Sequence, residues 1–437
     1  MEKYLIFISF ISLFIYLIRK DIVYIIPMIF LFYTKINGLL DWEDFAQHGV
    51  IKFPDYGFLL SLIILILLIV SYKKGFSDPI FNTIYGLLLL ICIHIIYYLF
   101  LFFYSVELQG SFEWPIKIGR GYLYGISILV FYLLLYNDPI GKFKRVFEFL
   151  KIFTIVFSAL YIVYNYFGID FYANEPYEII ESDIGEVNRN FAAFPYFLMY
   201  FYCISLIDFF NRRGNLIISL LLIFIYLVCM VSVLTRGIII SAAIIFVMAY
   251  IISENRKTNL FYIIFFFGLG LFILNALNFF ETGSYLTLLE RSREITDVGV
   301  ESTGNFKVRT MEFYNILDNV IHFNPLFGFG FVNTNLLGLY KFADFTAGSP
   351  DNGFTNLLGI TGFVGLSLFL IIIVNWGLIN IKLQRLKIDD FSKAHFLFII
   401  YVLLSFLNGS SMSYLESFGL FLIYDLLISR MYIKSIK

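Results

Sequence analysis

Arginines set beside glycine, and one aspartate set between proline and asparagine, are the residues of this chain best suited to chemistry on a phosphate ester. Arg236 lies in Leu234-Thr235-Arg236-Gly237, Arg120 in Lys117-Ile118-Gly119-Arg120-Gly121, and Arg309 follows Asn305-Phe306-Lys307-Val308. A guanidinium offers a planar fork that meets two phosphate oxygens at once. Gly237 lets a ligand come close to the backbone, and the helix N-terminus that follows adds partial positive charge. Asp351, in Ser349-Pro350-Asp351-Asn352-Gly353-Phe354, offers a carboxylate for general-base work. The catalytic candidates are therefore Asp351, Arg309 and Arg236. Arg120, Asn352, Lys307 and His322 are the candidates for substrate binding.

Each of these residues also has a structural reading. An arginine near a membrane surface snorkels or pairs within its loop. Arg291 and Arg293 sit among Glu290, Glu294 and Asp297, and a solvated charge cluster accounts for them. Asn324-Pro325-Leu326-Phe327-Gly328-Phe329-Gly330 reads by default as a structural turn. Asp351 and Asn352 suit a helix N-cap, and Gly362 and Gly365 suit a close helix crossing.

The elements that hold these residues are membrane helices. Of the 437 residues, 60% are hydrophobic and only 14% charged, and runs such as 58–70 and 217–233 suit hydrocarbon contact. Apolar runs predict thirteen spans, within a range of about twelve to fourteen: 4–18, 21–36, 57–72, 79–104, 115–136, 146–168, 191–210, 216–234, 237–252, 259–279, 353–381, 394–412 and 415–430. The first run lacks a small-residue cleavage site and reads as a retained span. The chain is expected to be an all-α, polytopic integral membrane protein, with residues 1–437 forming one membrane domain. Within it, 281–352 forms one large polar loop, too long to be a mere connector.

Basic breaks alternate with acidic ones. Arg19-Lys20, Lys73-Lys74, Lys142/Lys144/Arg145, Arg212-Arg213, Arg256-Lys257 and Lys382/Arg385/Lys387 fall on one side; Asp41-Trp42-Glu43-Asp44, Glu107/Glu113 and 175–186 fall on the other. The positive-inside rule makes the first set cytoplasmic and the 281–352 loop extracytoplasmic. Outside the cell no nucleotide sugar or ATP is at hand, so bond formation there needs a pre-activated substrate. A net charge of -1 gives no bulk attraction to nucleic acid. Cys92, Cys203 and Cys229 lie inside apolar runs and the four histidines are scattered, which argues against a disulfide framework or a metal site.

The order of these pieces, a Thr-Arg-Gly turn, an outer loop with Arg309 and Asn-Pro-Leu-Phe-Gly-Phe-Gly, then Asp-Asn-x9-Gly-x-x-Gly, resembles the O-antigen polymerase and O-antigen ligase superfamily of bacterial envelope glycosyltransferases. The resemblance covers roughly residues 216–375; the N-terminal half agrees only in topology. It implies a metal- and cofactor-independent enzyme of the cytoplasmic (inner) membrane, with its active site facing the exterior. The donor would be a polyprenyl-diphosphate-linked oligosaccharide, and a chain-length regulator and a flippase would be partners. Arg236 matches the arginine of the family's Ser/Thr-Arg-Gly turn and Arg309 the one early in its large loop. Where the ligase pattern carries histidine, this chain carries Asp351, which favours the polymerase side. The alternatives are a ligase transferring glycan to lipid A-core or protein and, from another class, a lipid-linked sugar transporter or flippase. The second would need charged residues deep within the helices and inverted repeats. His94 is the clearest ionisable residue within a span, and such residues read as sparse.

Overall fold

Apolar sequence in hydrocarbon must satisfy its backbone within each segment, and the helix is the solution open to runs of this length. The computed structural model describes residues 53–71, 81–167, 178–182, 185–189, 197–232, 236–254, 304–332, 353–387, 391–408 and 418–436, with 15, 25, 26, 29 and 268 singly. In chain order the elements are α1 (Phe53–Ser71), α2 (Phe81–Gln109), α3 (Glu113–Leu123), α4 (Ser127–Leu135), α5 (Pro139–Phe167), β1 (Glu178–Ser182), β2 (Gly185–Arg189), α6 (Leu198–Asn211), α7 (Leu216–Ser232), α8 (Arg236–Ile252), α9 (Gly304–Phe323), α10 (Gly353–Arg385), α11 (Ser392–Asn408) and α12 (Gly419–Ile436).

Among the described residues four helices are long and apolar enough to cross a membrane: Gly86–Gln109, Glu113–Leu135, Pro139–Val163 and Gly353–Arg385. Shorter apolar helices pack with them, among them Leu216–Val231 and Gly237–Ile252. The outward faces of the bundle are greasy, with Ile66, Ile96, Ile217 and Val70 all exposed. A soluble protein would carry charge there; an α-helical membrane protein carries what lipid accepts.

The basic breaks meet at one end of the bundle. Lys393 Nζ lies 2.7 Å from Glu254 Oε1, and the Glu254 amide donates to Asn211 Oδ1 at 3.2 Å. Lys387 and Arg213 also act on Glu254, and together with Lys393 they hold its carboxyl below the usual glutamate range. Nearby, Gln384 Nε2 donates to the Ser392 carbonyl at 3.1 Å. The α6, α8, α10 and α11 ends that carry basic residues in the sequence are thus brought together.

Three features go beyond what the sequence led one to expect. The predicted span over 115–136 is present as Glu113–Leu135, with a 3-10 turn, Tyr124–Ile126, between α3 and α4. The acidic segment near 175–186 contains an antiparallel hairpin that pairs Glu178 with Arg189 and Ser182 with Gly185. The helical architecture therefore carries a small β element that apolar periodicity gave no reason to expect. Finally, the 281–352 stretch carries local structure where it is described. Residues 304–323 form a helix of 20 residues, and 324–332 turn back onto the bundle.

Candidate functional site

The centre of the candidate site is a break in α10 that receives the Asn324–Gly330 turn. Gly362 adopts φ 59°, ψ -168°, a conformation almost confined to glycine. In an unbroken helix the amides of Phe363, Val364 and Gly365 would bond the carbonyls of Gly359, Ile360 and Thr361. Here Phe363 N donates to Pro325 O at 2.9 Å and Val364 N to Leu326 O at 3.3 Å, while Phe329 N donates to Gly359 O at 2.8 Å and Gly330 N to Ile360 O at 3.0 Å. Tyr97 Oη donates to Thr361 O at 2.5 Å. Each of the three carbonyls freed by the break has thus found a partner, as groups shielded from water require.

The turn itself is built by its own residues. Asn324 Oδ1 accepts from the amides of Leu326 and Phe327 at 3.2 and 3.1 Å, and the Gly328 amide donates to Asn324 O at 2.8 Å. Pro325 presets the second position of such a turn. Gly328 and Gly330 take φ 64° and 76°, which side chains rarely tolerate. The default structural reading of this motif is right, and its structural partner is the glycine pair of α10. Of that pair, Gly362 receives the turn, and Gly365 lies where α10 packs against Tyr97 of α2, beside the Thr361 side chain.

One face of α2 grips the assembly. Tyr97, Leu101, Tyr104, Ser105 and Leu108 recur at helical spacing. Tyr104 Oη accepts from Asn324 Nδ2 at 3.1 Å, and Ser105 Oγ accepts from the Phe331 amide at 2.7 Å. Phe331 lies across Gly119 of α3 and against the Tyr122 ring at 5.2 Å. Ile316 and Val320 of α9 bury with Phe329, Val332 and Leu358, with Leu108 packed beside them. None of these α2 residues stood out in the sequence. Their only signal is polar side chains spaced along one face of an apolar helix.

The predicted site residues fall around this dock. Lys307 and Arg309 lie in α9, the helix that runs into the turn. Arg309 precedes Ile316 by about two helical turns, roughly 10 Å along the axis. Asp351 and Asn352 lie outside the described residues, directly before Gly353, where α10 begins. Arg236 opens α8. Because α8 and α11 are 17 residues each and meet at the Glu254–Lys393 pair, they run antiparallel, with Arg236 level with the end of α11. Phe406, near that end, packs its ring 5.1 Å from Phe354 at the start of α10. The starts of α8 and α10 therefore share one end of the bundle, opposite the basic one.

Arg120 and His322 have local partners. Arg120 Nη1 lies 3.2 Å from Asp55 Oδ2, and Tyr124 Oη donates to Asp55 Oδ1 at 2.5 Å, which ties α1 to the α3–α4 junction. His322 is exposed in the last turn of α9, with Nδ1 2.7 Å from the Asp318 carbonyl. Among the described residues no group of three or more His, Cys, Asp and Glu side chains is arranged to hold a metal.

A second polar centre lies deep in the bundle. Asp425 of α12 accepts from Trp376 Nε1 at 2.6 Å and Asn380 Nδ2 at 2.8 Å through Oδ2, and contacts His395 Nδ1 at 2.6 Å through Oδ1. His395 Nε2 is 2.7 Å from Tyr200 Oη. All these side chains are fully buried, and Phe143, Phe391, Phe421 and Tyr424 surround the imidazole. The sequence reading named His94 as the clearest ionisable residue within a span. His395 and Asp425 escaped it because they lie in different apolar runs and meet only through folding. Compared with protein-family models and with curated protein sequences, the chain matches none.

Proposed function

We propose that this protein is an inverting polysaccharide polymerase that joins isoprenoid-diphosphate-linked oligosaccharide repeat units at the outer face of a bacterial cytoplasmic membrane. The reading rests on the motif order in the sequence and on one structural observation that supports it. The Asn324–Gly330 turn is bonded backbone to backbone onto Gly359–Val364. That dock ties the helix of Lys307 and Arg309 to the helix that begins after Asp351-Asn352, while Arg236 opens a helix at the same end of the bundle. Two cationic segments and the start of α10, which follows Asp351-Asn352 in sequence, thus lie within one part of the fold.

In the proposed reaction a sugar hydroxyl of one carrier-linked unit gives its proton to Asp351 and attacks the anomeric carbon of a second. The new glycosidic C–O bond forms as the C–O bond to the carrier diphosphate breaks, with inversion at the anomeric carbon. Arg236 and Arg309 stabilise the charge that develops on the departing diphosphate; preorganised donors of this kind contribute about 3–4 kcal/mol each. Arg120 stands further back, engaged with Asp55, and Lys307, Asn352 and His322 contact the glycan or carrier. A chain-length regulator and a flippase are the partners such an enzyme works with. Purified protein supplied only with carrier-linked repeat units should yield a product ladder. Extension only when a lipid A-core or protein acceptor is added would make it a ligase instead.

The Asp425–His395 pair favours a second reading, a transporter of the same lipid-linked sugar, because ionisable residues at membrane depth often serve transport. Its enclosure by aromatic rings argues for a structural clasp. Movement of a fluorescent carrier-linked sugar across proteoliposomes, without elongation, would support transport.

A further inference from the structure

We infer that Tyr97 is a positioning residue of the transfer site, its hydroxyl standing in for a missing helical hydrogen bond and so holding α10 broken at Gly362. The inference rests on the polymerase reading for what is positioned, and on the described geometry alone for how. The break frees three carbonyls and three amides between Gly359 and Gly365. The turn backbone takes two of each, through Phe329, Gly330, Pro325 and Leu326. Thr361 O is the one carbonyl the turn backbone leaves, and Tyr97 Oη donates to it at 2.5 Å. The same hydroxyl lies 3.5 Å from Leu326 O, within the turn. Gly365 admits the ring because it has no side chain; a Cβ there would come within 2.9 Å of Tyr97 Cε1.

Without that hydroxyl, the shielded Thr361 carbonyl loses its partner. Its nearest repair is to accept from Gly365 N, as it would in a regular helix. That bond requires Gly362 to leave φ 59°, ψ -168°, which straightens α10 through the position now filled by the turn. Gly362 already lies against the backbone of Leu326 and Gly328 in that turn, so a straight helix and a docked turn exclude each other. Straightening would swing 353–361 relative to α9. Tyr97 thus biases a two-state element toward the arrangement that holds the start of α10 to the Arg309 helix.

The test is Tyr97→Phe, which keeps the ring and removes only the hydroxyl. Hydrogen–deuterium exchange on the full-length protein in detergent should rise at least tenfold in 324–332 and 357–366 and stay unchanged elsewhere. The control Tyr202→Phe, whose hydroxyl donates to Ala242 O at 3.4 Å far along the chain, should leave those segments as they are. With carrier-linked repeat units as substrate, Tyr97→Phe should lower kcat at least tenfold at unchanged KM. Unchanged exchange in both segments, an even rise over the whole chain, or unaltered kcat despite faster exchange would each overturn the inference. Absence of any polymer from the wild-type protein would defeat the polymerase reading, and the exchange comparison would still decide whether Tyr97 holds the break.

Discussion

Gly328 and Gly362 lie backbone against backbone, each at positive φ, and a Cβ on Gly328 would fall 2.6 Å from Gly362 N. This contact joins the turn after α9 to the broken helix α10, so it joins the two segments that carry Arg309 and Asp351. Gly362→Ala meets two penalties: a conformation almost closed to residues with a Cβ, at about 1–3 kcal/mol, and overpacking, at about 1–3 kcal/mol more. The expected result is a clear fall in thermal midpoint in detergent. Gly377→Ala in the same helix, where a Cβ meets nothing within 4 Å, should be neutral or slightly stabilising. Equal behaviour of the two variants would contradict the dock.

The Asp425 cluster makes a different prediction. Asp425→Ala strips Trp376, Asn380 and His395 of their shared acceptor inside the bundle. Losing one partner of such a buried set costs about 3–5 kcal/mol, whereas Asp425→Asn keeps an acceptor and should cost less. The unfolding midpoints of the two variants should therefore separate widely, with Asp425→Ala the lower. Full stability of Asp425→Ala would remove the clasp and strengthen the transport reading.

At the basic end the expected effects are small and depend on pH. Glu254 has its carboxyl held below the ordinary range, first by the hydrogen bond to Lys393 and then by the charges around it. A depressed carboxylate contributes stability above its unfolded-state pKa, and that contribution disappears as pH falls through the folded value. The pair is solvent-exposed, so salt should weaken it. Comparing Lys393→Ala with the wild type at neutral pH and again below the carboxylate range, the difference in thermal midpoint should shrink in acid. A difference that grows in acid would have the wrong sign.

Much of the architecture was legible because hydrocarbon allows few solutions. The apolar runs 79–104, 216–234 and 237–252 correspond closely to α2, α7 and α8. Arg213 and Lys387, from two of the basic breaks, both act on Glu254, together with Lys393, which was not among those breaks. What stayed hidden depends on contacts between distant segments. Nothing local marks Tyr97, Tyr104 or Ser105 as partners of a turn more than 200 residues away. The glycines of Asn324–Gly330 and of Gly362–Gly365 were visible as two separate signals, but their mutual insertion is a tertiary fact. The hairpin was missed for a simpler reason: its residues, Glu178–Ser182 and Gly185–Arg189, are mostly polar and show no strong alternation.

The central claim is that Arg236, Arg309 and Asp351 act together on one carrier-linked substrate. It is tested most directly by polymer formation from purified carrier-linked repeat units, comparing the wild type with Arg236→Ala, Arg309→Ala and Asp351→Asn at matched amounts of folded protein. The account predicts a ladder from the wild type and losses of at least about 100-fold for each variant, the scale expected when a preorganised donor or the general base is removed. A wild-type ladder that persists undiminished in all three variants would contradict it.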